Sequence, residues 1–202
     1  MDSTAVERRN VWMRWRVRIG YPLSIVFWLL ATPTRESIMY GSIIAGFGLL
    51  IRGAAAGHLV KYQQLATRGP YAYTRNPLYL GSAILAAGFA VAGHSWIAAA
   101  MLGIYFTVVY FAVMQNEEAD LRVRYGAIFD EYASRVPLFF PRPFGKSKKS
   151  AANPAGSSRG FSWAQYQRNR EYQALLGTIL AMMAVALKLC LRLPDLFRWW
   201  RH

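Results

Sequence analysis

The chain has 202 residues, 54% hydrophobic and 15% aromatic, with 24 Lys plus Arg against 10 Asp plus Glu. This departs from an average soluble domain and reads as a small integral membrane protein. The single cysteine, Cys190, excludes an intramolecular disulfide and a cysteine-based metal cluster, and His58, His94 and His202 are too widely spaced for a histidine one, so no metal is expected.

The first apolar run, residues 19–31, needs some of its flanks to reach the roughly 17–25 residues of a bilayer crossing. Arg8, Arg9, Arg14, Arg16 and Arg18 precede it, as in a secretory leader. Trp12, Trp15, Pro22, Trp28 and the lack of a small-x-small cleavage site favour a retained anchor instead. The second and third runs, 38–56 and 78–91, are rich in small residues, among them Gly41, Ala45 and Gly48 in one and Gly81, Gly88 and Gly93 near the other. Close helix packing is the expected consequence. Gly93-His94-Ser95 is a tight connection to the fourth run, 96–114, so the third and fourth runs should form an antiparallel hairpin. A fifth run, 175–189, lies beyond a polar linker, and residues 193–202 form a basic tail with Trp199 and Trp200. The expected fold is all-α, a polytopic membrane bundle of about five transmembrane helices.

The cations alternate loop by loop. They cluster before the first run, between the second and third (Lys61, Arg68, Arg75) and after the fourth, whereas only Arg35 separates the first two runs and no Lys or Arg occupies 93–95. The positive-inside rule then puts the amino terminus and the polar segments at 69–81 and 116–137 in the cytosol, against anionic lipid headgroups. No nucleic-acid recognition fold is evident, so nucleic acid is not an expected partner.

Residues 69–81 read G-P-Y-A-Y-T-R-N-P-L-Y-L-G. Gly69-Pro70 marks a turn and Pro77 can begin a helix, leaving an irregular connection over 71–76 whose backbone can present polar groups to a ligand. Tyr71, Tyr73 and Tyr79 add rings able to stack or to attract a cation; an interfacial aromatic belt with Arg75 snorkelling to phosphate reads the same residues more simply. Glu117 and Glu118 end the fourth run and point about 100° apart on a helix, so one can face the bundle and the other water. Pairing of these carboxylates with Arg122 or Arg124 is the plainer alternative. Leu121, Tyr125, Ile128 and Tyr132 predict one amphipathic helix over 117–134, ended by Val136-Pro137. His58 succeeds Gly57 at the same face, as a site residue or an interfacial histidine. No Walker phosphate loop, dinucleotide fingerprint or G-x-S-x-G elbow is present.

The G-H at 57–58, the 69–81 segment and the E-E-x-x-L pattern running from Glu117 to Val136-Pro137 together resemble the isoprenylcysteine carboxyl methyltransferase and phospholipid methyltransferase superfamily, over residues 54–141. The resemblance implies an integral membrane transferase that binds S-adenosylmethionine from the cytosol and methylates a membrane lipid or lipidated acceptor. By matching positions, Tyr71, Tyr73, Arg75, Asn76, Pro77, Tyr79, Glu117 and Glu118 would line the cofactor pocket, with Glu118 or His58 as a base for an amine acceptor. Many members have histidine where this chain has Asn76, which cannot titrate. The arginine thought to engage a carboxylate substrate is absent near Ala112 and Val113, so a prenylcysteine acceptor would need Arg52 or Arg122 in its place. A phosphatidylethanolamine-like amine is slightly favoured, with carboxyl O-methylation and a noncatalytic lipid-binding scaffold as alternatives. The expected organisation is a methyltransferase core over 1–145, a flexible basic linker over 146–160, and an additional carboxyl-terminal membrane helix with an amphipathic tail over 161–202.

Overall fold

The computed structural model describes residues 18–60, 65–141 and 160–191. The arginines before Arg18, most of the basic linker and the 193–202 tail lie outside the described residues. Among the described residues the structure is helical, with no strand. The helices are α1 (Arg18–Leu30), α2 (Arg35–His58), α3 (Pro77–Gly93), α4 (Trp96–Tyr125), α5 (Ala127–Arg135), α6 (Trp163–Arg168) and α7 (Tyr172–Cys190), with a 3₁₀ turn at Gly69–Ala72.

All five apolar runs are helical, but the expectation of about five spanning helices is corrected. Among the described residues three helices, α2, α4 and α7, are long and apolar enough to cross a membrane. α3 is stopped by Pro77 at one end and by His94, with φ 46°, at the other. At 17 residues it is only about 25 Å long against a hydrocarbon core of about 30 Å. α1 has 13 described residues. The chain is thus a multi-pass helical membrane protein. Its outward apolar rows, such as Ile43, Phe47 and Leu50 on α2 and Leu176, Leu180, Met183 and Leu187 on α7, are exposed as lipid-facing surfaces require.

The described helices divide into two compact units. The first comprises, of the described residues, 18–45, 85–117 and 178–191. Its core gathers Phe27, Ala98 and Val185, with Leu30, Ile38, Phe89, Met101 and Leu102 packed around them. Thr34 and Ser37 cap the start of α2 reciprocally, each side-chain oxygen accepting the other's backbone N–H at 3.0 and 2.9 Å. α2 and α3 approach so closely that a Cβ on Gly88 would lie 2.6 Å from the Ala45 nitrogen and 2.7 Å from the Gly41 oxygen. Glycine is required there by main chain, not by flexible side chains. At the end of α1, the Lys188 ammonium of α7 donates to the carbonyls of Trp28, Leu29 and Ala31 at 2.8, 2.9 and 2.7 Å. It also lies 5.2 Å from the centre of the Trp28 ring. A buried cation thereby meets the negative end of a helix that has run out of its own N–H donors.

The second unit comprises, of the described residues, 46–60, 65–84, 118–141 and 160–177. α6 covers the end of α2. Asn169 Nδ2 donates to the carbonyls of Ala56 and Leu59, and Gln165 Nε2 also donates to Leu59. Arg52 of α2 donates through Nε to Glu171 at 2.5 Å and through Nη1 to the Ser82 hydroxyl of α3, which in turn donates to the Leu78 carbonyl at 2.9 Å. The segment after the linker, expected as an additional helix, therefore supplies partners to α1 within the first unit and to α2 within the second.

Candidate cofactor site

The site is built in the second unit from the 71–77 loop, the end of α4, and α5 with the residues after it. The predicted single helix over 117–134 is instead two helices. Gly126, at φ 52° and ψ −130°, turns the chain between α4 and α5 with a backbone that side-chain-bearing residues rarely adopt. The predicted stripe shifts with it. Ile128 is exposed, and the residue buried on α5 is Phe129, 1% exposed. Arg122 pairs with Asp130 at 2.7 Å and lies 5.6 Å from the centre of the Phe129 ring, so α5 is folded back beside the end of α4.

The loop is pinned to α5 and to the extended residues beyond it. The Arg75 N–H donates to the Pro137 carbonyl at 2.9 Å, Asn76 Nδ2 to the Leu138 carbonyl at 3.0 Å, and Thr74 Oγ1 to the same carbonyl at 3.3 Å. The Tyr132 hydroxyl donates to the Tyr71 carbonyl at 2.7 Å. Burial pushes the Tyr132 phenol above its ordinary range, the Arg75 charge acting against this and the Glu118 charge adding to it.

Arg75 and Glu118 meet at the centre. Arg75 Nη1 is 2.6 Å from Glu118 Oε1, and the two side chains are only 15% and 13% exposed. Their contact is electrostatic and lacks hydrogen-bond alignment. Arg75 Nε and Glu118 Oε1 are both buried and have no hydrogen-bond partner. A buried N–H without an acceptor, such as Arg75 Nε, costs about 1–3 kcal/mol and more when charged, and a polar ligand there would relieve it. The ion pair that Glu118 forms is with Arg75 on the loop, and its charge also acts on Arg122, one turn on along the helix.

The remaining expected residues are distributed unevenly. Tyr71 is buried, and Pro77 is fully buried as the first residue of α3. Asn76 is buried, with its amide directed at Leu138. Tyr79 is half-buried in the first turn of α3, Tyr73 is 54% exposed, and Glu117 is exposed. His58 donates from Nδ1 to the Ala54 carbonyl at 2.7 Å, which leaves the lone pair on Nε2. Its ring edge lies against Gly69, where φ is 61° and a Cβ would come within 2.6 Å of Nε2. Among the described residues no group of three or more His, Cys, Asp or Glu could hold a metal.

The segment that carries the paired arginine and glutamate matches a known family. Residues 38–128 match the phospholipid methyltransferase family. The matched segment runs from the first turns of α2 into α5 and contains the Arg75–Glu118 pair. Over 82 residues the chain is 39% identical to the nickel-cobalt-cadmium resistance protein NccN of Alcaligenes xylosoxydans xylosoxydans, covering 41% of this chain and 38% of that protein. The cobalt-zinc-cadmium resistance protein CzcN of Cupriavidus metallidurans is 37% identical with the same coverage. Methanethiol S-methyltransferase 2 of Bradyrhizobium diazoefficiens is 30% identical over 138 residues, 65% of this chain and 50% of that protein. The chain thus spans half or less of the length of these relatives. No solved structure gives a significant match.

Proposed function

We propose that this chain is an integral membrane methyltransferase using S-adenosylmethionine, with its cofactor site at the Arg75–Glu118 pair. The observation that carries the reading is the buried Arg75–Glu118 ion pair, in which Arg75 Nε has no hydrogen-bond partner and Glu118 Oε1 meets Arg75 Nη1 without a hydrogen bond. The donor set fits the amino-acid end of the cofactor. A carboxylate oxygen can accept from its ammonium and a guanidinium can donate to its carboxylate. When bound, the cofactor supplies an electrophilic methyl group on a sulfonium.

Tyr71 and Tyr79 are the rings proposed to face that charge. The chain's own contribution is to hold the charged groups in a low-dielectric place and to position the acceptor. For an amine acceptor, His58 Nε2 is the better candidate to take a proton, because its lone pair is uncommitted while Glu118 faces Arg75. The acceptor is proposed to be hydrophobic and to enter from the bilayer, with the site and the amino terminus on the cytosolic side. The family match favours a lipid amine such as phosphatidylethanolamine, and the likeness to a methanethiol S-methyltransferase gives a thiol as the second reading. Carboxyl methylation is disfavoured, since Arg52 and Arg122, the substitutes it would need, are paired with Glu171 and Asp130.

Calorimetry of the detergent-purified chain with S-adenosylmethionine tests the site. Glu118→Gln should weaken binding about 10- to 100-fold, the range for a hydrogen bond to a charged group, while exposed Glu117→Gln should change it little. Saturable binding unaffected by Glu118→Gln would reject this site. Transfer of labelled methyl groups to phosphatidylethanolamine vesicles or to alkanethiols would then separate the acceptors.

A further inference from the structure

We infer that Tyr132 is a positioning residue for the Arg75–Glu118 pair, acting through the Tyr71 carbonyl. Tyr132 lies one turn beyond Phe129 on α5, their rings 6.3 Å apart at 60°. Phe129 is the anchor, almost fully buried with the Arg122 guanidinium beside it, and Arg122 is itself fixed to Asp130. The inner side of α5 is therefore held in place, and Tyr132 projects from it to donate a 2.7 Å hydrogen bond to the Tyr71 carbonyl. Four residues beyond Tyr71, the Arg75 N–H is fixed to Pro137, and next to it the Asn76 amide to Leu138.

The loop carrying Arg75 is thus fastened near both ends by one continuous stretch, 132–138. The fastening from α5 to the Tyr71 carbonyl is the Tyr132 hydroxyl. The phenol is protonated at neutral pH and so a donor, burial raises its pKa further, and Arg75 and Glu118 are near enough for their charges to act on it. Without the hydroxyl, the Tyr71 carbonyl loses this donor and the loop can relax away from Glu118, while Phe129 still holds α5 against the fold. The consequence is specific to the loop rather than to global packing. Its bearing on ligand affinity rests on the reading of the pair as the cofactor site.

The test is Tyr132→Phe in the full chain, with Tyr40→Phe on the exposed face of α2 as the control for loss of a hydroxyl. Hydrogen exchange of the ligand-free protein should be faster by about fivefold in 71–76, the effect of one ordinary hydrogen bond, with unchanged exchange in 127–135 and little change in melting temperature. S-adenosylmethionine affinity should fall about five- to tenfold. Tyr40→Phe should do neither. Wild-type exchange in 71–76, faster exchange spread through α5, or unaltered affinity would each overturn the inference. If the wild-type chain binds no S-adenosylmethionine, the proposed function falls, and the exchange measurement alone still decides whether Tyr132 holds the loop.

Discussion

Replacing Glu171 by Gln removes the negative partner of Arg52 without changing the shape of the site. Arg52 would keep the Ser82 hydroxyl, but its guanidinium, on a side chain 23% exposed, would lose the carboxylate it is paired with. Breaking a fully buried ion pair from one side costs about 3–5 kcal/mol. Because Arg52 retains about a quarter of its surface, a cost of about 2–4 kcal/mol is the better expectation, with the pair partly screened. At about 2–4 °C per kcal/mol for a chain of this length, the melting temperature should fall by about 4–16 °C. The decisive assay is a thermal double-mutant cycle in detergent with Arg52→Gln, Glu171→Gln and both together. The double variant carries no stranded charge, so it should be more stable than additivity predicts, with a coupling of at least about 1.5 kcal/mol. A loss under about 1 kcal/mol in Glu171→Gln, or simple additivity, would refute the view that this pair fastens the segment after the linker to α2.

The helix packing and the buried phenol each make a further contrast measurable. Gly88→Ala should destabilise by about 1–3 kcal/mol, as overpacking against main chain does, whereas Gly46→Ala, where a Cβ meets nothing within 4 Å, should be neutral; thermal melts of both variants check the contrast. Because the folded-state Tyr132 phenol titrates above its ordinary value of about 10, its contribution is fully present below pH 10 and is lost as pH rises beyond it. Wild type should therefore lose more stability than Tyr132→Phe between pH 9 and 11, measured by pH-dependent melting; equal losses would contradict the burial of that hydroxyl.

Helix identity and the meeting of the two motifs were legible in the sequence because each depends on local signals. The apolar runs set the helices, Pro77 and the Gly93-His94-Ser95 turn set the hairpin, and that hairpin is what lets residues 75 and 118 approach. The opposite environments of Glu117 and Glu118 also follow from helical geometry. The partner of Glu118 did not, because helical spacing ranks neighbours on one helix and cannot see a loop 43 residues away in sequence. The break at Gly126 was missed for a related reason. A hydrophobic period runs through it, and only the left-handed backbone reveals the turn, although the glycine itself was the available clue. Asn76 shows a further limit. A residue type suited to binding ligand was visible, but its amide is directed to Leu138, a contact that only tertiary structure discloses. The roles of Lys188 and Glu171, charges at or near the ends of an apolar run, were likewise hidden, since nothing local names a carbonyl or a guanidinium far back along the chain.

Lys188 has a consequence for how the protein is made. The carbonyls it caps, Trp28, Leu29 and Ala31, are synthesised roughly 160 residues before it. During translation the end of α1 therefore gains this cap only after α7 has been made, so the making of α7 completes a helix end laid down long before it.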